Sequence, residues 1–327
     1  MLYQSPIWKE LNQNIFKKPV FDIKINDTTY QAVIKQKSLF WFTLNRYQIL
    51  WVRYEDVQVG TDLLRPIIIP QLPYKSGNIL IQFWFVDIIR SDYTSNIKKY
   101  TTEQISIFEQ KLLSIADWLL SKWWKHSIKQ NLPEADIIID TTKDKDLLRA
   151  DISSNTKNHI NKAGKKGVIF DTVKDEDDLT RFVQLYRWVW NNKWFGVISE
   201  DLIHKLYDYL TQTKSGEVFV VRYGGRLVWW ALCIFDDKNL IYLYGGNDTS
   251  IGNIWASQFM HWQIMNYAKD NWFNTYDMLG ASRIWKEDRL SKVTQFKAWF
   301  WWTKYDYVWS FDIVLSPLLY KIYKLLS

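Results

Sequence analysis

The stretch EVFVVRYGGRLVWWALCIFDDKNLIYLYG, residues 217–245, decides the fold. It contains three runs of strand composition, at 217–222, 227–235 and 240–245, rich in Val, Ile, Leu and aromatic residues. Such residues fit the pleated surface of a sheet, and the pair Gly224-Gly225 between the first two runs is a typical turn signal. The stretch therefore predicts three consecutive strands.

The sequence on both sides of these strands predicts alternating helices and strands. The predicted segments are helices at 147–166, 177–188, 200–212 and 255–269 and strands at 168–170 and 274–278. This order is typical of α/β proteins in which helices pack on mixed sheets. We therefore predict an N-acetyltransferase-like α/β fold for the second half of the chain.

The first half of the chain predicts strands followed by one amphipathic helix. Between 102 and 122, apolar residues recur at helical spacing, and this face is expected to pack on a sheet. A polar run at 143–146 marks the predicted domain boundary. We predict that the first half is a diverged copy of the second. Its predicted strands are 30–35, 47–53, 79–88 and 136–140.

The composition is that of a folded chain without a membrane span. The chain has 327 residues, enough for about two domains, with 47% hydrophobic and 24% charged residues. Its longest apolar run, residues 79–89, is interrupted by Gln82 and Asp87 and is far shorter than the roughly 20 residues that span a bilayer. A single cysteine, Cys233, excludes an internal disulfide framework. We therefore expect a cytoplasmic protein, and the net charge of +7 permits contact with nucleic acid, phosphorylated substrates or an anionic membrane face.

Tryptophan and glycine have unusual frequencies, with 20 Trp against 12 Gly. Glycine fits several Trp positions better, because Trp229-Trp230 follows a glycine turn, Trp301-Trp302 lies where a hairpin turn would, and Trp272 follows a helix. One hypothesis is that the source organism reads UGA as glycine and that the sequence was translated with UGA as tryptophan. The alternative is a genuine Trp-rich protein that stacks sugars or bases on its indole rings.

The sequence contains no motif for metal or nucleophilic catalysis. The four histidines are scattered without paired-ligand spacing, and CxxC, HExxH and GxSxG are absent. Residues 164–167, Gly-Lys-Lys-Gly, lack the first glycine and the final Ser or Thr of a phosphate-binding loop. Cys233 lies in an apolar strand without an adjacent base, which indicates core packing. We therefore predict no metal site.

A basic helix and one further lysine each allow two interpretations. Lysines near the end of a helix complement its dipole, or they contact the phosphates of a bound tRNA. The lysines of this helix are Lys157, Lys162, Lys165 and Lys166. Lys297 is either a snorkelling surface lysine or a catalytic one. The residues alone leave these alternatives open.

The C-terminal part of the chain resembles the closing signature of the Fem family. Residues 268–280 are similar to a helix ending in Ala-Lys, a strand with Tyr-Asp and a loop glycine, and residues 296–307 are similar to Phe-Lys followed by Phe-Gly-Gly. Pro317, Tyr320 and Tyr323 complete the signature. The resemblance supports the recoding hypothesis, because it requires glycine at five Trp positions. These positions are Trp272, Trp299, Trp301, Trp302 and Trp309.

This resemblance implies two N-acetyltransferase-like (GNAT-like) domains, one of residues 1–145 completed by 310–327 and one of residues 146–309. It implies an aminoacyltransferase that moves an amino acid from aminoacyl-tRNA to the stem peptide of a peptidoglycan precursor bound between the domains. The attack of the acceptor amine on the ester creates an oxyanion, which Lys297 is expected to stabilise while Phe296 shapes its surroundings. The charged tRNA is a co-substrate, and no other cofactor is expected.

The resemblance also implies residues that bind the precursor. Where the family often has an arginine three residues before the Phe matched by Phe195, this chain has Asn192, and Lys193, Lys35 or Lys37 are expected to hold the substrate phosphate instead. The other expected substrate-binding residues are Tyr242, Tyr244, Asp277 and Gly280. The precursor is UDP-linked or lipid-linked, and the lipid-linked form would bring the protein into peripheral contact with the membrane.

Two other functions stay open at this point. An acyl-CoA-dependent N-acyltransferase on the same fold would need a pyrophosphate-binding loop at the start of a helix, and no clear Gln/Arg-Gly-x-Gly-Gly/Ala run is present. A noncatalytic protein that binds nucleic acid or glycans would use genuine indole rings at 299–309 for stacking, and Lys297 would be dispensable.

Overall fold

The structure is a computed structural model of the chain, and it describes twelve segments. They are residues 4–39, 42–52, 68–73, 78–85, 89–93, 102–121, 124–127, 134–193, 199–283, 290–300, 302–307 and 310–325. The strands within them form two mixed sheets, one of six strands and one of eight. None of the helices in these segments is long and apolar enough to cross a membrane.

The strands and helices of the described segments are numbered in chain order. The strands are β1 Val20–Ile25, β2 Thr28–Leu39, β3 Phe42–Val52, β4 Asn78–Phe85, β5 Ile89–Tyr93, β6 Lys125–His126, β7 Ala135–Asp140, β8 Ile169–Thr172, β9 Gly216–Tyr223, β10 Arg226–Asp236, β11 Asn239–Asn247, β12 Thr275–Asp277, β13 Trp302–Asp306 and β14 Ser310–Val314. The helices are α1 Pro6–Glu10, α2 Thr102–Ser121, α3 Lys145–Asp151, α4 Ser154–Lys165, α5 Glu176–Lys193, α6 Glu200–Thr213, α7 Ala256–Asp270, α8 Ser291–Lys297 and α9 Pro317–Leu325.

The six-stranded sheet has the order β1-β2-β3-β4-β14-β6. Only β3 and β4 run parallel among its described pairs, and β14 from the C-terminal part pairs antiparallel with β4. Helix α2 covers one face through Ile115 and Leu119, four residues apart on one side of the helix. Helix α9 packs on Leu44 and Leu80 through Tyr320. The amphipathic helix predicted at 102–122 therefore packs on a sheet as expected.

The eight-stranded sheet has the order β5-β13-β7-β12-β11-β10-β9-β8. The three strands β9, β10 and β11 form an antiparallel meander between β8 and β12, and β11 pairs parallel with β12. The turn between β9 and β10 is Gly224-Gly225, where φ is 56° and 75°. A two-residue hairpin needs this left-handed backbone at both positions, which glycine adopts without steric cost.

Helices cover both faces of the eight-stranded sheet. Helices α5 and α6 pack on one face, and α6 contributes Ile203, Leu206 and Leu210 at helical spacing. The N-terminal residues Ile7 and Leu11 join this same cluster. The other face is covered by α3, α4 and α7, whose buried residues are Leu148, Ile160, Ala163, Met260, Ile264 and Ala268. The predicted mixed α/β fold is thereby confirmed.

Two sequence predictions about local structure differ from the fold. The helix predicted at 147–166 is two helices, α3 and α4, because Ile152 is extended and the Ser153 side chain accepts the N–H of Thr156 as an N-cap. Trp229 and Trp230 do not lie at a turn. They lie inside β10, where Trp230 is fully buried, because the turn is completed at 224–225.

Other Trp positions agree better with the glycine hypothesis. Trp272 follows α7 with φ of 62° and has 79% of its surface exposed. Trp255 precedes the same helix with φ of 59°. Both residues therefore occupy left-handed backbone that bulky residues rarely adopt. Trp302 is the first residue of β13, and Trp301 and Trp309 lie outside the described residues.

Sheet membership and the predicted domain limits divide the chain at different places. Segment 310–314 lies in the first sheet, as the assignment of 310–327 to the first domain requires. However, β5 and β7, both before residue 145, pair with β13 in the second sheet. The N-terminal helix α1 also packs with the helices of the second sheet. The domain limits themselves stay a prediction.

Candidate active site

Lys297 is the last residue of helix α8, and only 5% of its surface is exposed. Its ammonium donates to three consecutive backbone carbonyls, those of Met278 at 2.8 Å, Leu279, and Gly280 at 2.7 Å. An ammonium group has three N–H donors, so these carbonyls use all of them. The side chain is therefore held in one position and does not snorkel into solvent.

The three carbonyls belong to a turn after β12, residues 278–280, which we call the carbonyl turn. Leu279 and Gly280 both have positive φ, 45° and 48°. Such backbone is costly for leucine, so the surrounding contacts must hold it in place. The Leu279 N–H donates to Asp277 Oδ1 at 2.8 Å, and the Gly280 N–H donates to Asp136 Oδ1 at 2.7 Å. The carbonyl turn is thus held by an ammonium on one side and two carboxylates on the other.

Asp136 is fully buried in β7, next to the turn. Its second oxygen, Oδ2, accepts a hydrogen bond from the Tyr307 hydroxyl at 2.8 Å. Both carboxylates reach the same side of the sheet, because Asp277 pairs with Ile138, two residues from Asp136. The Arg283 guanidinium donates to the backbone carbonyl of Tyr307, which helps to hold Tyr307 in place beside Asp136.

Burial and charge set the protonation of the cluster. Burial lowers the pKa of Lys297 to about 8, and the carboxylates of Asp136 and Asp277 oppose this by favouring the charged ammonium. Burial raises the pKa of Asp277 well above its usual range. Burial also raises the pKa of Asp136, against the effect of hydrogen bonds from Tyr307 and Gly280. One ammonium beside two buried carboxylates favours a state in which Asp136 is charged and Asp277 carries a proton.

His261 lies beside the cluster but is not charged near neutral pH. Its Nδ1 is 2.7 Å from the Tyr276 hydroxyl, and its ring lies among Phe296, Phe300 and Trp229. Burial, together with the positive charge of Lys297, lowers its pKa to about 3. His261 is therefore a neutral hydrogen-bonded core residue.

A cavity of about 220 Å³ opens next to Phe296. It is bounded by the start of α7, the end of β11 and the loop at 252–255, and Trp229 forms part of its wall. Phe296 and Lys297 therefore have different surroundings, since the phenyl ring lines the cavity and the ammonium lies in the carbonyl turn. The role expected for Phe296, shaping the surroundings of Lys297, stays a prediction.

Basic residues in α4 and at its C-terminal cap contact Trp255, which is one of the residues that line the cavity. The ammonium groups of Lys162 and Lys166 lie 5.3 Å and 4.7 Å from the Trp255 ring centre, and the His159 ring stacks on the same indole at 5.5 Å. Lys157 instead donates to the Ala150 carbonyl at 2.7 Å, which satisfies the preceding helix. Lys165 is exposed.

The structure brings together only some of the predicted substrate-binding residues. Asp277 and Gly280 meet Lys297 in the carbonyl turn. Tyr242 and Tyr244 lie in the clusters on opposite faces of the sheet, because the pairing of β10 with β11 shifts between Leu232 and Cys233. The side chains of three further residues lie outside the described part of the structure, namely Lys37, Asn192 and Lys193.

Lys35 lies in the first sheet, away from the carbonyl turn. It pairs across β2 and β3 with Arg46, whose guanidinium contacts the Tyr323 hydroxyl of α9. Burial, followed by the positive charges of Arg46 and Lys18, lowers the pKa of Lys35 to about 8. We call Lys18, Lys35 and Arg46 the cationic cluster.

Sequence reasoning did not identify Asp136, Tyr307 and Arg283 as site residues. One signal was present, because Asp136 interrupts an otherwise apolar strand, and a carboxylate in such a strand is rarely buried without a purpose. Within the described residues, no group of His, Cys, Asp and Glu could hold a metal ion.

Comparison with known proteins places the fold. Residues 150–287 match the family model of the Acetyltransferase (GNAT) domain. The crystal structure of FemX has a TM-score of 0.69 at 15% identity, with 99% of this chain and 94% of that chain covered. The structure of L-PGS from Bacillus licheniformis has a TM-score of 0.51 at 11% identity, with 99% and 98% covered. No curated protein matches the chain in sequence. The chain therefore has a GNAT-like fold, with a GNAT domain in its second half.

Proposed function

We propose that the chain is an aminoacyltransferase of the Fem type, which moves an amino acid from aminoacyl-tRNA to an amine of a peptidoglycan precursor in the cytoplasm. The observation that carries the proposal is the buried ammonium of Lys297, which is fixed by three backbone carbonyls and is the chain neighbour of Phe296 in the cavity wall. The likeness of the whole chain to FemX in fold supports it.

In the proposed reaction, the amine nitrogen of the acceptor bonds to the ester carbonyl carbon of the aminoacyl-tRNA. The carbonyl oxygen becomes an oxyanion, the bond to the ribose oxygen breaks, and that oxygen leaves with a proton from the amine. One N–H of the Lys297 ammonium releases its backbone carbonyl and donates to the oxyanion instead. A fixed donor at such an oxyanion contributes about 3 kcal/mol to transition-state stabilisation. Holding amine and ester together supplies much of the rest.

The two substrates are proposed to use different basic surfaces. The lysines of α4 beside the cavity suit the phosphates of the tRNA acceptor end, since Lys162, Lys165 and Lys166 extend from one helix. The cationic cluster of the first sheet suits the phosphate of a UDP-linked or lipid-linked precursor, because cations held together in a half-buried site are stabilised by a bound anion. A lipid-linked precursor would require peripheral contact with a membrane.

The test is a transfer assay with charged tRNA and UDP-linked precursor, read by mass spectrometry of the stem peptide. We expect Lys297→Ala to lower the transfer rate by about 100-fold to 1,000-fold, which is the loss seen when one oxyanion donor is removed. Lys292→Ala is the matched control, since Lys292 is an exposed lysine of the same helix. Equal rates for Lys297→Ala and wild type would contradict the assignment of Lys297.

A second candidate function is N-acyl transfer from an acyl-CoA. The match of residues 150–287 to the GNAT domain model favours it, and so does the position of the cavity at the start of α7. Turnover of a CoA thioester with no turnover of charged tRNA would select this function. Tight binding of tRNA or glycan without turnover of either donor would select the noncatalytic alternative.

We also propose that glycine stands at Trp255 and Trp272 in the cell, through reading of UGA as glycine. The positive φ of both residues supports this, because glycine adopts such backbone without steric cost. The codons decide the matter. UGG at positions 255 and 272 would rule out recoding there, whereas UGA codons with glycine in the peptide mass spectrum would establish it.

A further inference from the structure

The carbonyl turn consists of peptide groups that are held at both ends. A peptide group is rigid and planar, so the C=O of one residue and the N–H of the next rotate together. The Leu279 C=O and the Gly280 N–H form one such group, with Lys297 at its oxygen and Asp136 at its nitrogen. The group preceding it has Lys297 at the Met278 oxygen and Asp277 at the Leu279 nitrogen.

We propose that Asp136 is a positioning residue for Lys297, acting through the peptide group between Leu279 and Gly280. The carboxylate prevents this group from rotating, which keeps the Leu279 carbonyl on the ammonium. Its negative charge also keeps the ammonium protonated in a fully buried site. Tyr307 orients Asp136 by donating to Oδ2. The effect of Asp136 on catalysis rests on the proposed function, whereas its effect on the position and charge of Lys297 does not.

The two carboxylates are not equivalent in this arrangement. Asp136 accepts from both Tyr307 and Gly280, whereas the described contact of Asp277 is the Leu279 N–H. Hydrogen bonds to a carboxylate favour its charged form. The proton of the pair therefore resides on Asp277, and Asp136 provides the negative charge that faces Lys297. Among the described residues, His261 also interacts with Lys297, and it is neutral.

The three peptide groups that contact Lys297 differ in what holds their nitrogen atoms. The third peptide group of the turn also has Lys297 at its oxygen, that of Gly280, but its nitrogen is held by backbone, since the Ala281 N–H donates to the Ala135 carbonyl at 2.7 Å. The two groups held by carboxylates are therefore the ones that a change of side-chain charge releases.

The test measures the titration of Lys297 itself by NMR of its ammonium in the full-length protein without substrate. We expect the midpoint of wild type near pH 8 and a clearly lower midpoint in Asp136→Asn, because the amide has nearly the same size, can still accept from the Gly280 N–H through its oxygen, and lacks the charge. Asp140→Asn, an exposed residue of the same strand, is the control that leaves the midpoint unchanged. An unchanged midpoint in folded Asp136→Asn would overturn the inference.

Tyr307→Phe is the second variant, for the case in which Asp136→Asn does not fold. It removes one hydrogen bond to Asp136 and keeps the ring, so we expect a smaller shift of the Lys297 midpoint in the same direction. No shift in this variant would also overturn the inference. In the transfer assay, Asp136→Asn should lower kcat at pH 8 about tenfold with KM unchanged, since a neighbouring opposite charge moves a pKa by about 1 to 3 units.

These measurements separate the inference from the proposed function. If the Lys297 midpoint shifts as expected and wild type transfers no amino acid, the positioning role holds and the proposed function fails. If wild type is active and the midpoint does not respond to Asp136→Asn, the proposed function stands and the positioning role fails.

Discussion

Lys297, which is buried, and Lys35, which is half-buried, both have a pKa lowered to about 8, but their surroundings are opposite. Lys297 uses all three donors on the carbonyl turn and has two carboxylates beside it. The charges that act on Lys35 are those of Arg46 and Lys18, both cations. Within the described residues, the cationic cluster has no ion pair with a carboxylate. The first lysine is therefore satisfied by the fold, and the second is in a site that a bound anion would stabilise.

The comparison predicts opposite effects on stability, which is the largest expected difference. Lys297→Ala leaves the Asp136 charge buried without its counter-charge, which costs about 3 to 5 kcal/mol in the free energy of unfolding. Lys35→Ala removes repulsion between cations, so its free energy of unfolding should equal or exceed that of wild type. Urea denaturation of both variants at pH 7 measures the difference. A destabilised Lys35→Ala beside an unaffected Lys297→Ala would reverse the comparison.

The second prediction concerns substrate binding at the cationic cluster. Lys35→Ala should raise the KM for the phosphorylated precursor about tenfold to 100-fold with little change in kcat, because a charge-assisted hydrogen bond contributes about 1.5 to 3 kcal/mol. Lys24→Ala, at an exposed lysine on the neighbouring strand β1, is the control. Steady-state kinetics with varied precursor at fixed charged tRNA give both constants. A loss confined to kcat would show that Lys35 does not bind the phosphate.

The third prediction uses pH to distinguish the two lysines. A lysine is charged below its pKa, so kcat should fall as pH rises through about 8, where Lys297 loses its proton. The KM for the precursor should rise over the same range as Lys35 loses its proton, although bound phosphate opposes that loss. In Lys35→Ala the pH dependence of KM should vanish while that of kcat remains. Profiles from pH 6.5 to 9 test this, and a kcat that rises with pH would contradict a charged Lys297.

The smallest predicted effect concerns Trp272, which belongs to neither cluster. Trp272→Gly should stabilise the chain by about 1 kcal/mol, because an exposed residue with positive φ is better replaced by glycine. Trp118→Gly, in the last turn of helix α2 where the indole packs on the core, should destabilise the chain instead. Thermal unfolding of the two variants provides the measurement. Lys297→Ala and Lys35→Ala should also be measured in the Trp272→Gly background. If the order of their free energies of unfolding is reversed there, the difference between the two clusters depends on Trp272.

Local sequence patterns determined most of the elements of this fold. The strands at 217–245 and the helices α2, α5, α6 and α7 follow from the period of their apolar residues, which depends only on near neighbours in the chain. The resemblance to the Fem family directed attention to Lys297 and Phe296. Sequence patterns did not predict helix α8, because seven residues are too few for a reliable helical period.

The surroundings of Lys297 could be decided only by the tertiary structure. Tyr307 and Asp136 are 171 residues apart in the chain, and they meet because β13 and β7 are neighbouring strands of the second sheet. The same holds for Tyr242 and Tyr244, whose separation onto opposite faces results from one irregularity in strand pairing. A sequence specifies which residues are charged or apolar, but burial and counter-charges depend on which strands lie next to one another in the folded sheet. That order sets the pKa of Lys297 and the direction in which its ammonium points.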